Sequence, residues 1–408
     1  MRLRSDLEVL LEREFRLVFA AAAVSLIGDG VVPVALAFAV LDLTGSPTDL
    51  GLVLACRAVA LLGSLLVGGV VADRLGRREV MIVADLVRLG GQAAIGVLLV
   101  SGHATVTELA VSQALLGAAS GFFGPASSGL LPTVAGPHLR EANALRGLTM
   151  AASNIVGPGI AGALVLAAGP GAALLIDAAS YAASALLLTR VSTAAQGRLP
   201  AAGPRQFLRE LRDGFDAVRS RTWLWSGVLV FSLVNLFASA FPVLGPLVAK
   251  RHLGGAGAWA AILAARAVGA LIGGTAVLRL SPRRPLLVGT VACAVTAVPT
   301  MLLAIPASLA VLIVVTLAAG IGPMVFNVPE HVRSRVSAYD WFGSLALQPL
   351  GLALVGPLAG AIGPSAALWV CGGIDWALAA SLLAVHDIRT LPPRPLPPDS
   401  PLEIAEPT

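Results

Sequence analysis

Two charged residues stand where charge is expensive. Asp29 lies in Gly28-Asp29-Gly30 and Arg57 in Leu54-Ala55-Cys56-Arg57-Ala58-Val59, and both stretches are otherwise apolar. Inside an apolar run of membrane length, such a group faces a partner, a cavity or a transported ion, because hydrocarbon cannot solvate it. Counted from the outer ends of their runs at 1.5 Å per residue, Asp29 is about 18 Å deep and Arg57 about 14 Å, similar enough to pair. Two uses remain open: a static ion pair joining two helices, or a site for proton coupling or substrate. Arg266 sits in Leu263-Ala264-Ala265-Arg266-Ala267-Val268, an echo of the Arg57 stretch without an evident acidic partner. It either binds an anionic group or extends its charge to the membrane surface. Asp177 and Asp375 occupy related places in later runs, where a structural cap or ion pair is expected.

The elements that hold these residues follow from composition. The 408 residues are 57% hydrophobic and 12% charged, with mean hydropathy +0.86, whereas soluble domains carry about 25% charge. A span needs about 20 apolar residues, and the sequence divides into twelve such runs. This predicts an all-α integral membrane protein of two six-helix halves, with span 1 over 16–41, span 2 over 48–71, span 4 over 105–125 and span 5 over 143–168. Residues 1–15 read as an amphipathic segment, 16–189 as the first bundle, 190–222 as a cytoplasmic linker, 223–388 as the second bundle and 389–408 as a disordered tail. A longer connection carrying Arg140 and Arg146 is expected after span 4. Span 10 breaks off early near Asn327. The first run is too long for a cleaved signal peptide.

A knot of charge separates spans 2 and 3: Gly69-x-x-Ala72-Asp73-Arg74-x-Gly76-Arg77-Arg78. Three arginines in so short a loop place it in the cytoplasm, and Gly76 lets the chain reverse. The pattern resembles the loop between the second and third spans of major facilitator superfamily transporters. That resemblance implies a conformational latch, with the start of span 11 near Ser337 as the partner of Asp73. Gly157-Pro158 with Gly162 resembles the fifth-span signature of proton-driven drug exporters, and Gly356-Pro357-x-x-Gly360 is its degenerate counterpart. Proline opens a backbone hydrogen bond and glycine lets helices approach, which gives a bend able to pack in two ways. Where many drug antiporters carry an arginine in span 4, this chain has Gln113. The Gly-Asp-Gly, the Asp-Arg loop and Ser337-Ala338-Tyr339-Asp340-Trp341 are similar to the macrolide and siderophore exporter branch.

The halves echo one another, as two bundles around a central path require. Gln113, Asn154, Asn235, Phe237, Phe241 and Arg266 are the candidate lining of a cavity. The net charge of +5 orients the chain against anionic lipid and does not mark a nucleic-acid binder. Cys56, Cys293 and Cys371 fall in apolar runs without ligand spacing, so no metal or disulfide is expected. No Gly-Lys-Ser phosphate loop or nucleophile elbow occurs, so neither an ATP-driven pump nor an enzyme is expected, and no cofactor. The expectation is a monomeric secondary transporter in the bacterial inner membrane, both termini cytoplasmic, exporting an amphipathic molecule for protons. Import or exchange without protons is one alternative, and a transport-inactive sensor or scaffold another.

Overall fold

The computed structural model describes residues 8–192, 222–279, 285–321 and 343–384, and every regular element among them is helical. Most of the expected linker, the break near Asn327, Ser337 and the tail from residue 389 lie outside the described residues. The first span consists of two helices, Arg13–Asp29 and Val32–Leu43. Across the join, the Gly30 N–H donates to the Leu26 carbonyl at 3.1 Å and the Val31 N–H to the Gly28 carbonyl at 2.8 Å. The axis therefore bends without stranding donors where no water can satisfy them.

Span 2 is Pro47–Leu75, started by the Ser46 hydroxyl accepting from the Asp49 N–H at 3.2 Å. It stops at Gly76, whose φ of +96° only glycine adopts readily, and span 3, Arg77–Val100, follows at once. Span 4 is Val106–Ala135 and opens on a capping box between Thr105 and Glu108. It corrects the expected end at Pro125. Pro125 and Pro132 sit inside the helix, and burial of Ala126, Leu130, Leu131 and Val134 outweighs the bonds they forfeit. The connection that follows is only Gly136–His138. Arg140 and Arg146 belong instead to the next helix, Leu139–Thr189, where Arg146 donates to Ser128 Oγ at 3.0 Å and ties it to span 4. That helix breaks at Gly169, with φ 82° and ψ 169°, separating spans 5 and 6.

In the second half, span 7 is Thr222–Ala238 with Ala240–Val248, and span 8 is Ala256–Arg279. Span 9 is Pro285–Val295 with Val298–Leu302, span 10 is described as Leu309–Ile321, and spans 11 and 12 are Gln348–Ile362 and Pro364–Ser381. Eight described segments are long and apolar enough to cross a membrane. One of them, Val106–Thr189, turns at Gly136 and Gly169 and so holds three passes, and two shorter apolar stretches, Gly289–Leu302 and Leu309–Ile321, complete the path.

The repeat is visible in packing. Gly117 of span 4 lies against the backbone of Arg57 in span 2, and Gly320 of span 10 lies against the backbone of Arg266 in span 8. The two intramembrane arginines thus hold equivalent posts, each opposite a glycine. The halves join where span 5 meets span 8, with Gly162 facing Ala260, and where span 2 meets span 11, with Gly356 facing Thr48. A core shared by both halves, including Leu36, Val40, Leu50, Leu244, Trp259 and Leu352, fills the end near these contacts. The other described core cluster, around Phe15, Met81 and Leu130, is built from first-half residues.

Candidate substrate cavity and buried polar network

The Gly28-Asp29-Gly30 break is wedged between spans 5 and 6. A Cβ on Gly28 would stand 2.5 Å from Asp177 Oδ1, and one on Gly30 would stand 2.6 Å from the Ser153 carbonyl. With no side chain on either neighbour, span 1 sinks between the two helices and Asp29 is delivered to a buried level. Ser153 Oγ donates to the Leu26 carbonyl and pins the wedge.

Asp29 opens a chain of polar contacts. Tyr181 donates its hydroxyl to Asp29 Oδ1 at 2.8 Å, and Arg57 Nη2 lies 3.7 Å from the same oxygen. Arg57 Nη1 donates to Gln113 Oε1 at 3.1 Å, Gln113 Nε2 to Gln92 Oε1 at 3.5 Å, and Gln92 Nε2 to Asp177 Oδ2 at 2.7 Å. A second branch caps the ring of Tyr181. Arg88 lies 5.4 Å from that ring and 4.3 Å from the ring of Phe123, a cation held between aromatic faces. Its Nη1 is 3.5 Å from Asp85 Oδ1, and Ser184 donates to Asp85 Oδ2 at 2.6 Å. Asp85, Arg88, Gln92, Gln113, Asp177, Tyr181 and Ser184 are all buried, while Asp29 and Arg57 keep 28% and 25% of their side-chain surface exposed. The network is dry at one end and open at the other.

It opens onto a cavity of about 400 Å³ between the halves, lined by Asp29, Ser153, Asn154 and Pro158 from the first half and by Leu263, Arg266 and Ala267 from the second, among others. Arg266 stands with its guanidinium 5.4 Å from the ring of Phe241, and Phe241 in turn packs on Trp259 at 5.0 Å. A largely apolar wall with a carboxylate, an amide and a guanidinium converging on it suits an amphipathic ligand.

At the arginine-rich end, the loop after span 2 is held by its own residues. Arg77 donates to Asp73 Oδ1 at 2.9 Å and to the Gly129 carbonyl of span 4 at 2.5 Å. Arg78 donates to the Leu188 and Thr189 carbonyls at 2.8 and 2.7 Å, satisfying the end of span 6. Arg74 is exposed.

Of the residues expected at the cavity, Asn154 and Arg266 line it. Gln113 belongs to the buried network, Asn235 ties span 7 to the Ser344 carbonyl at 3.1 Å, Phe237 packs on the shared core, and Phe241 supports Arg266 from behind. Gly157 lies on the Gly30 backbone, Gly162 meets span 8, and Gly356 meets span 2, whereas Gly69 and Gly360 face open space. Of the cap or ion pair expected at Asp177, the ion pair is absent among the described residues, and its carboxyl accepts from Gln92 instead. The network's further members were written as two stripes. Asp85, Arg88 and Gln92 at i, i+3 and i+7 share one face of span 3, and Asp177, Tyr181 and Ser184 at i, i+4 and i+7 share one face of span 6.

The profile of the Major Facilitator Superfamily matches residues 18–343. The multidrug efflux pump Tap of Mycolicibacterium fortuitum is 29% identical over 379 residues, covering 85% of this chain and 89% of that protein. The enterobactin exporter EntS of Citrobacter koseri is 31% identical over 290 residues, covering 68% of this chain and 67% of its own. Among solved structures, the nucleoside transporter NupG superposes with a TM-score of 0.72 at 13% identity over 91% of this chain and 98% of that one, which shows a common fold. The two-bundle architecture, the loop after span 2 and the match over most of the length lead to one conclusion: this multi-pass membrane protein belongs to the Major Facilitator Superfamily.

Proposed function

We propose that the chain exports an amphipathic small molecule across the cell membrane in exchange for protons, by alternating access, as a monomer with both termini in the cytoplasm. The observation that carries this reading is Asp29, at once a wall residue of the cavity between the halves and the open end of a buried network of carboxylates and guanidinium groups. A group so placed meets substrate on one side and exchangeable charge on the other. The relatives named as a multidrug efflux pump and an enterobactin exporter support the outward direction. The arginines of the Gly76 loop support the orientation. Alternation is supported by a core that both halves share at the end near Thr48 and Gly356.

The test is accumulation of fluorescent dyes, macrolides and catecholate siderophores in inverted vesicles, with and without an imposed pH gradient. Concentration of one class that collapses with the gradient is expected, together with loss of that accumulation in Asp29→Asn. Accumulation indifferent to the gradient would instead favour exchange without protons, and none in any class would favour a sensor.

A further inference from the structure

We propose that Asp177 on span 6 is the residue that binds the exchanged proton, with Gln92 holding its carboxyl in place; the use of that proton rests on the exchange reading above. Around Tyr181 the structure gathers three carboxyl groups, Asp29, Asp85 and Asp177, and two guanidinium groups, Arg57 and Arg88. Fully ionised, this set holds one negative charge without a counter-ion. A buried charge of that kind is costly enough that the group takes up a proton instead. One proton balances the set.

Geometry selects the acceptor. Asp29 has Arg57 at 3.7 Å and the Tyr181 hydroxyl at 2.8 Å. Asp85 has Arg88 at 3.5 Å and the Ser184 hydroxyl at 2.6 Å. Asp177 is fully buried and, among the described residues, pairs with no cation; its Oδ2 accepts from the neutral Gln92 amide at 2.7 Å. Its Oδ1 lies 3.5 Å from Ser180 Oγ, but Ser180 already donates to the Asp177 main-chain carbonyl at 2.7 Å. A hydroxyl has one hydrogen to give, and 3.5 Å is long for an O–H···O bond, so Ser180 leaves Asp177 Oδ1 free to carry a hydrogen of its own. The charged and titratable groups around it are Asp29 from span 1, Arg57 from span 2, Asp85 and Arg88 from span 3 and Tyr181 from span 6. Span 4 contributes the neutral Gln113, which reaches Asp177 through Gln92.

The same contacts give the exchange its logic. An O–H bond forms at Asp177 when a proton arrives from water on one side and breaks when it leaves to the other. The two glutamines link Asp177 to Arg57, the partner of Asp29 at the cavity wall. A cationic substrate group that pairs with Asp29 adds a third positive charge, so three carboxylates are balanced without a proton and Asp177 releases its own. Substrate and proton then exclude one another through charge balance, without sharing a residue.

Infrared spectroscopy of the full-length protein in lipid nanodiscs tests the site. The carbonyl stretch of a protonated carboxylic acid is expected in the wild type, lost in Asp177→Asn, and moved to higher frequency in Gln92→Met, which keeps the acid but removes its hydrogen bond. A band that survives Asp177→Asn, or is unmoved in Gln92→Met, overturns the proposal. Asparagine has the shape and charge of the protonated acid, so the first variant is expected to fold; if it is not recovered, Gln92→Met decides alone. In inverted vesicles, Asp177→Asn is expected to lose gradient-driven accumulation while retaining substrate counterflow, and gradient-driven accumulation at the wild-type level would overturn the assignment. A band that behaves as expected in a wild type showing no gradient-driven transport would bring down the exchange reading and leave the proton site standing.

Discussion

Gly157 of span 5 rests directly on the backbone of Gly30 in span 1: a Cβ at position 157 would stand 2.5 Å from both the Cα and the carbonyl carbon of Gly30. The crossing that seats Asp29 exists because neither helix presents a side chain there. Gly157→Ala forces the backbones apart, and overpacking of this kind costs about 1–3 kcal/mol. Gly159, two residues along the same motif, has nothing within 4 Å of its would-be Cβ. Gly159→Ala is therefore expected to leave stability unchanged or raise it slightly, by up to about 1 kcal/mol. Thermal unfolding in detergent checks the pair. Equal losses in both variants would mean that the motif serves helix bending and not this crossing.

The loop after span 2 leads to a second expectation. Asp73 is 48% exposed and pairs with Arg77, and an exposed pair contributes about 0–1 kcal/mol. Arg77 also holds the Gly129 carbonyl, a contact that Asp73→Asn leaves in place. Arg77→Ala is expected to slow transport and lower the unfolding temperature more than Asp73→Asn does, with the double variant no worse than Arg77→Ala alone. Additive losses would show that Asp73 acts through another partner.

Much of this was legible in the sequence, and the rest was not for identifiable reasons. The loop motif, the apolar runs and the Gly28-Asp29-Gly30 break carry local signals that need no knowledge of neighbours. The pairing of Asp29 with Tyr181 joins positions 152 apart, and only the packing of span 1 between spans 5 and 6 brings them together. Span 4 extends beyond the expected end because Pro125 is only a local stop signal, and tertiary burial of Leu130 and Leu131 overrides it. The cap or ion pair expected of Asp177 rests on depth along a helix, which says nothing of which face it presents. The stripe formed with Tyr181 and Ser184 held that information.

Arg266 is expected to set the charge preference of the cavity. It lines the same cavity as Asp29 and lies against the ring of Phe241, so its charge acts on whatever occupies the space. Arg266→Gln keeps a polar side chain of similar reach but removes the charge. A hydrogen bond to a charged group contributes about 1.5–3 kcal/mol, so transport of anionic amphiphiles is expected to fall about tenfold or more. Cationic dyes are expected to be spared. The measurement is competition between an anionic and a cationic substrate in the same vesicles, and an equal loss of both would show that Arg266 supports the fold and not selection.

The end of the molecule opposite the arginine loop carries a clasp between the halves. Lys250, at the end of span 7, places Nζ 2.6 Å from Asp42 Oδ1 and 2.7 Å from the Leu41 carbonyl, both at the end of span 1. The ion pair is 36% and 48% exposed, so alone it contributes about 0–1 kcal/mol. The carbonyl is different: it belongs to a helix C-terminus, where a cation gains roughly a further 0.3–1 kcal/mol. Lys250→Met removes both contacts and keeps the aliphatic bulk, whereas Asp42→Asn removes only the first charge. A loss of one or two kcal/mol changes a two-state ratio by about 5–30-fold. The closed end is therefore expected to open more often in Lys250→Met than in Asp42→Asn. A cysteine at Ala37, buried in the shared core beside the clasp, reports the opening: Ala37→Cys is expected to label faster with a membrane-impermeant maleimide in the Lys250→Met background, and to label at an intermediate rate with Asp42→Asn. Salt separates the contributions, because it screens the exposed ion pair more than the carbonyl contact. Labelling rates that are equal in all three backgrounds would show that the shared apolar core closes this end by itself.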